Sequence, residues 1–215
     1  MIVYWLLLLP TALIAYLLGG MDTIVLASNF IFRYNLHRLG KGNDWLSNFR
    51  RVYGLKGALL LLLVEAMKDI LPIIIGGVLL GFKGHADVGR AFAGFCLVLG
   101  RLWPVYYELK GSCAVMPMIF SALFADTSLG IVVLLLLLVT LAVSRHMPVA
   151  ALVAGLVLAA ASFLIVETKL CVYLLAFTGA ALVVRHIPAV KKILEGKAEK
   201  LSFTEDLSYK FEEKF

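Results

Sequence analysis

The run IVVLLLLLVTLAV at residues 131–143 carries no charged side chain and does not alternate between apolar and polar residues. A strand of a membrane barrel would alternate with period two, whereas a helix satisfies its own backbone hydrogen bonds in lipid. With 62% hydrophobic and only 16% charged residues, the 215-residue chain lacks the polar side chains that a water-exposed surface requires. The sequence therefore predicts an all-α, polytopic membrane protein.

A perpendicular crossing of a bilayer takes about 20 apolar residues. Seven apolar segments approach that length, at residues 3–27, 57–82, 89–104, 113–125, 128–143, 148–166 and 170–184. The third and fourth are short, so one of them is expected to be re-entrant, tilted or packed inside the bundle, and five or six full crossings stay open. We interpret residues 1–200 as one helical membrane domain and 201–215 as a C-terminal tail.

The distribution of basic residues predicts the orientation of the chain. Residues 29–56 contain six lysines and arginines and one acidic residue, Asp44. Since basic loops stay on the cytoplasmic side, this segment should face the cytoplasm. Counting seven crossings then puts 105–112, 144–147 and the tail from Arg185 inside, with the N terminus outside and the C terminus cytoplasmic.

The segment GKGNDWLSNFRR, residues 40–51, joins two apolar stretches and is rich in glycine, amide and basic side chains. Such groups together form the chemistry of an anion site, in which neutral donors and a guanidinium fork hold a phosphate. The alternative is a solvated loop that is held inside by its charges.

The sequence VEAMKD places Glu65, Lys68 and Asp69 within the second apolar segment. Unpaired charges at the centre of a membrane helix cost roughly 2.5–3.5 kcal/mol each. The spacing of three and four residues puts the three side chains on one helical face, where Lys68 can pair with a carboxylate. Both a packing ion pair and a substrate contact fit this pattern.

Three further segments join the glycine-rich one in a consistent order: GRLWPVYYELKGSCAVMP at 100–117, SRHMPVAA at 144–151 and VVRHIPAVKKILEGKAEK at 183–200. This order of motifs resembles the bacterial acyl-phosphate:glycerol-3-phosphate acyltransferases, which are small integral membrane enzymes. The resemblance extends from about Leu39 to Lys200. It implies a multi-pass protein of the bacterial inner membrane whose active site opens to the cytoplasm.

The resemblance also implies the chemistry. A fatty acyl group would pass from acyl-phosphate to glycerol 3-phosphate, giving lysophosphatidic acid for phospholipid biosynthesis. It implies no cofactor, metal or nucleic acid. Membrane lipid is the further partner, and whether a protein partner exists stays open. The catalytic candidate is His186. The substrate-binding candidates are Lys41, Gly42, Asn43, Ser47, Asn48, Arg51, Arg101, Lys110, Gly111, Arg145 and Arg185.

Several positions depart from the family pattern. Trp45 stands where the family has glycine, Arg101 where it has histidine, Cys113 where it has a second lysine, and Ala189 where it has asparagine. An alternative interpretation is therefore a family member with impaired catalysis that binds lipid or a partner protein. A channel or transporter is less favoured, since the two halves share no repeated pattern of broken helices.

Overall fold

The computed structural model describes residues 2–21, Thr23, 45–109 and 111–195, and within its helices every side chain except those of residues 2–5, 45–55 and 58. Over these ranges, seven α-helices follow one another: α1 Ile2–Gly20, α2 Trp45–Gly81, α3 Ala86–Leu102, α4 Val115–Ala125, α5 Thr127–Ser144, α6 Met147–Ile165 and α7 Lys169–Leu194. A short 3-10 turn, Val105–Tyr107, lies between α3 and α4. The prediction of an all-α fold is confirmed, and each helix overlaps one of the seven apolar segments.

The chain divides into two compact units. The first, called the core unit below, comprises Met1–Met21 and Ala66–Lys200, and the second comprises Asp22–Glu65 and Leu201–Phe215. The described part of the second unit is Thr23 together with residues 45–65 of α2. The predicted tail, 201–215, lies outside the described residues, and the single domain over 1–200 stays a prediction.

In the described part of the chain, four segments are long and apolar enough to cross a membrane: Ala86–Tyr107, Thr127–Ser144, Met147–Ile165 and Lys169–Leu194. In contrast, α4 has 11 residues. At 1.5 Å per residue it extends about 16 Å, roughly half the thickness of a hydrocarbon core. One of the two short segments was expected not to span the whole membrane, and α4 is the segment that fits this expectation.

Burial distinguishes the roles of α3 and α5 in the core unit. In the apolar 18-residue stretch of Ala86–Tyr107, 67% is buried inside the protein, whereas only 22% of the corresponding stretch of Thr127–Ser144 is buried. The outer face of α5 exposes leucine and valine side chains, which a bilayer accepts and water would not. Thus α3 is the central helix and α5 a lipid-facing one.

Two apolar clusters hold the core unit together. The larger contains Leu102 of α3, Met118 of α4, Val133 of α5, Leu158 of α6 and Leu182 of α7 among its buried members. The smaller joins Ala15 of α1 to Ile73 of α2 and Leu97 of α3. At its edge α1 and α3 approach so closely that a Cβ at Gly100 would overlap the carbonyl of Tyr16. This contact brings the C-terminal ends of both helices together.

Three predicted loop boundaries are wrong, in each case because a helix extends into polar sequence. The interhelical segment 29–56 is helical from Trp45, and the loop after α2 is confined to 82–85, because α3 begins at Ala86. The tail expected from Arg185 is still helix, since α7 continues to Leu194. Pro188 lies inside α7. Polar side chains at a helix end lower the hydropathy of a segment without disturbing its backbone hydrogen bonds.

Candidate functional site

The C-terminal end of α1 receives two positive charges. The backbone carbonyl of Met21 accepts a hydrogen bond from Lys68 Nζ and another from Arg101 Nη1, both at 3.2 Å. The last carbonyls of a helix have no partner within it and carry the negative end of the helix dipole. The two cations therefore stabilise this end of α1 while tying it to α2 and α3.

Lys68 also forms an ion pair, with Nζ 3.2 Å from Oδ1 of Asp69. Their side chains are 8% and 0% exposed, so the pair is almost fully withdrawn from solvent. The prediction that Lys68 pairs with a carboxylate is confirmed, and the carboxylate is that of its neighbour in sequence. Separating two charges that are buried to this extent would cost several kcal/mol, roughly 3–5 by comparison with other buried pairs.

The α3–α4 loop, residues 103–114, is held against the ends of α1 and α3. Tyr16 Oη donates to the carbonyl of Trp103 at 2.6 Å, and the N–H of Ser112 donates to the carbonyl of Arg101 at 3.2 Å. Between them, a Cβ at Gly111 would overlap the carbonyl oxygens of Arg101 and Leu102. Glycine is therefore required at 111 by close backbone contact.

The second half of the site comes from α7. Arg185 Nη2 donates to the carbonyl of Gly111 at 2.8 Å, which joins residues 74 positions apart in the chain. One residue later, His186 is buried, and its Nδ1 lies 2.9 Å from the carbonyl of Leu182. Because a carbonyl oxygen only accepts, Nδ1 carries the proton in this contact, and in a neutral ring Nε2 keeps its lone pair.

Cys113, where the family pattern has a lysine, lies partly buried in the same loop. Burial raises the pKa of its thiol to about 11, while the N–H of Val115 and the charge of Arg101 act in the opposite direction. The structure thus places a different cation, Arg101, close to the position of the missing lysine. A thiol with this pKa is protonated at neutral pH and is a poor nucleophile.

Apart from Arg145, the predicted site residues divide into three groups. Arg101, Gly111, Arg185 and His186 are described and belong to the connected end of the core unit formed by α1, α3, α7 and the α3–α4 loop. Ser47, Asn48 and Arg51 lie on the helical backbone of α2, but their side chains are outside the described set. Lys41, Gly42, Asn43 and Lys110 lie outside the described residues, so the predicted convergence of Asn48, Arg51, Lys110 and His186 stays a prediction.

Arg145 is exposed and ends α5 in a left-handed backbone conformation, φ 56°. The connections 145–146 and 166–168 are short, so α5, α6 and α7 alternate in direction. The α5–α6 connection therefore lies at the same end of the helices as the C-terminal part of α7. Arg185 and His186 were expected in a loop at this end, and they instead lie within α7 because its helix extends past them.

Sequence reasoning missed Tyr16 and the carbonyl of Met21. Tyr16 is a single aromatic residue in a long apolar segment, and a backbone carbonyl leaves no trace in the sequence. The available signal was indirect: the buried cations Lys68 and Arg101 require acceptors, and the C-terminal end of a helix supplies them.

Sequence comparison agrees with the motif resemblance. The family model described as glycerol-3-phosphate acyltransferase matches residues 9–196. Among curated relatives with that name, one from Thermoanaerobacter pseudethanolicus is 22% identical over 197 residues, covering 89% of this chain and 94% of the relative. One from Coxiella burnetii is 31% identical over 143 residues, covering 66% and 72% respectively.

The fold is similar to that of a solved membrane protein. The crystal structure of PlsY (YgiH), an integral membrane glycerol 3-phosphate acyltransferase, in its glycerol 3-phosphate form matches with a TM-score of 0.70 and 21% identity. The match covers 91% of this chain and 96% of that one. No finding favours the alternative of a non-catalytic binding protein.

We expect the thiol of Cys113 to react slowly at neutral pH, because its raised pKa leaves about a hundredfold less thiolate than an ordinary pKa near 9.0 would. The rate of alkylation by iodoacetamide should keep rising above pH 9 in a variant that carries Cys96→Ala and Cys171→Ala. The same variant unfolded in denaturant is the control. A folded-state rate that levels off at or below pH 9 would contradict the raised pKa.

Proposed function

Because the chain belongs to the glycerol-3-phosphate acyltransferase family and is an integral membrane enzyme, we propose that its acyl donor is an acyl-phosphate and its acceptor is glycerol 3-phosphate. The products are then lysophosphatidic acid and inorganic phosphate. The donor is a mixed anhydride and already activated, so no covalent acyl-enzyme is needed. The protonated state of Cys113 at neutral pH is consistent with this route.

One observation carries the proposal, namely the 2.8 Å hydrogen bond between Arg185 and the carbonyl of Gly111. It joins the segment 183–200 to the segment 100–117, and Arg101 belongs to the same connected end. Several cationic and hydrogen-bonding side chains at one end of a helix bundle are what two anionic substrates require.

In the proposed reaction a hydroxyl oxygen of glycerol 3-phosphate attacks the carbonyl carbon of the donor. The bond from that carbon to the phosphate oxygen breaks, and phosphate leaves with the electron pair. We assign His186 as the base that takes the hydroxyl proton at Nε2, because Nδ1–H is directed to the carbonyl of Leu182. That hydrogen bond also fixes the ring orientation and the tautomer.

Binding of the two phosphate groups is proposed for the remaining candidates. On the motif alone, Lys41, Gly42, Asn43, Ser47, Asn48 and Arg51 bind one phosphate through amide donors and a guanidinium fork. From the segment 100–117, Lys110 contributes a further cation, and Arg101 adds positive charge near Cys113. Arg145 is a candidate for a peripheral contact because it is exposed at the same end as the C-terminal part of α7.

The direct experiment supplies purified protein with radiolabelled glycerol 3-phosphate and palmitoyl phosphate, beside a parallel reaction with palmitoyl-CoA. We expect labelled lysophosphatidic acid with the acyl-phosphate donor. Transfer from the CoA ester alone would contradict the proposed donor. Transfer from neither, together with failure to rescue a strain that lacks its own acyltransferase, would contradict the proposed function.

The same assay tests the base. His186→Asn retains a donor for the carbonyl of Leu182 but removes Nε2, so we expect kcat to fall by about a hundredfold or more with the fold intact. His146→Asn is the matched control, because His146 is a partly buried histidine in the α5–α6 connection. Equal activity of the His186→Asn variant and the unmodified protein would exclude His186 as the base.

Arg51 and Arg50 provide a matched pair for the phosphate proposal. Arg51→Lys keeps the charge but loses the planar fork, so we expect at least about a tenfold loss in glycerol 3-phosphate affinity, or roughly 1.4 kcal/mol. Successive positions on a helical backbone are about 100° apart, so positions 50 and 51 of α2 do not share a face, and Arg50→Lys should be tolerated. Isothermal titration or KM values measure both. Two equally harmless substitutions would leave residues 40–51 as a charged anchor only.

We propose the bacterial inner membrane as the location, with the N terminus outside and the site facing the cytoplasm, on the basis of the lysine and arginine distribution. A cysteine introduced at Trp45 should react with a membrane-impermeant maleimide only after the cells are opened. Labelling of that cysteine from outside intact cells would reverse the proposed orientation.

A further inference from the structure

Arg185 was assigned above as a substrate-binding candidate, yet its observed partner is the protein backbone. Nη2 donates to the carbonyl of Gly111, a neutral acceptor in the middle of the α3–α4 loop. Residue 111 directly follows Lys110, which is the proposed cationic ligand of that loop. Because the acceptor is a neutral carbonyl, this hydrogen bond fixes the position of the loop and leaves the charge of the loop unchanged.

The loop needs external support because its own backbone is held in an uncommon conformation. Glu108 and Leu109 both have left-handed backbones, with φ of 51° and 61°. Side chains other than glycine disfavour this region, and two in succession persist only where surrounding contacts hold them. The N–H groups of Tyr107 and Leu109 both donate to the carbonyl of Pro104, which closes the turn at its N-terminal side.

Three contacts hold the loop to the neighbouring helices. Tyr16 Oη holds the carbonyl of Trp103, the N–H of Ser112 bonds to the carbonyl of Arg101, and Arg185 holds the carbonyl of Gly111. The first contact comes from α1 and the second from α3, which leads into the loop. Only Arg185, among these three contacts, connects the loop to α7 and therefore to His186.

We propose that Arg185 is a positioning residue: its guanidinium fixes the carbonyl of Gly111 and thereby holds the α3–α4 loop against α7, next to His186, and it does not itself bind the phosphate. This inference rests on the proposed function for its catalytic consequence. Its structural part, the support of the loop, stands without that function.

Hydrogen–deuterium exchange on the full-length protein without substrate tests the structural part. In Arg185→Ala, peptides within residues 103–114 should exchange at least about tenfold faster, because the loop loses its contact with α7. Arg185→Lys keeps a long donor and should restore much of the protection. Lys191→Ala, an exposed cation on the same helix, is the matched control and should leave the loop unchanged.

A double-mutant cycle with glycerol 3-phosphate as substrate tests the catalytic part. If Arg185 acts only through the loop that carries Lys110, Arg185→Ala should lower kcat/KM in the unmodified protein but add little in a Lys110→Ala background. A direct contact between Arg185 and phosphate would instead make the two losses multiply. Multiplying losses would overturn the proposal.

The outcomes separate this inference from the proposed function. Unchanged exchange of the loop in Arg185→Ala would overturn the positioning role whatever the activity. Faster exchange in a protein that shows no acyl transfer would uphold the support of the loop and remove the proposed function. Should Arg185→Ala fail to fold, Arg185→Gln, whose shorter side chain loses the reach of the guanidinium, takes its place in the exchange comparison, with Arg185→Lys as the conservative variant. Unchanged protection of the loop in Arg185→Gln would then overturn the positioning role.

Discussion

The convergence of Lys68 and Arg101 on the carbonyl end of α1 is the interaction on which the rest of the core unit depends. Cations within an apolar bundle are costly unless they meet acceptors, and the terminal carbonyls of a helix are acceptors that have no partner within the helix. A charge-assisted hydrogen bond contributes about 1.5–3 kcal/mol. Two such bonds to Met21 fix the end of α1 against α2 and α3, and the α3–α4 loop begins at that point.

The α3–α4 loop in turn connects this end of α1 and α3 to α7. Close packing of Gly111 on the end of α3 leaves its carbonyl directed to Arg185, which precedes His186 on the same helix. His186 is oriented in turn by the carbonyl of Leu182. The proposed base and the loop that contains the proposed cationic ligand are thereby held on elements that pack against each other, as precise positioning of two substrates requires.

The substitutions relative to the family pattern have different physical consequences. At position 113 the loss of a lysine is accompanied by the charge of Arg101, which still acts on this position. At position 189 an alanine on α7 provides no polar group, and nothing in the structure explains that change. The family assignment rests on the match over residues 9–196, and is independent of these single positions.

The sequence alone determined the all-α membrane fold, because apolar segments such as 131–143 have one solution in lipid, and it determined the family through the order of four motifs. Those motifs also predicted Arg101, Gly111, Arg185 and His186 as site residues, and the structure places all four at one connected end of the core unit. Only the tertiary structure decided that α7 continues past Pro188 and that Arg185 reaches a backbone carbonyl. It also decided that Tyr16 bonds to the α3–α4 loop and that the carbonyl of Met21 accepts from Arg101. The physical reason is that backbone acceptors are identical at every residue, so their partners follow from packing between distant segments and not from local sequence.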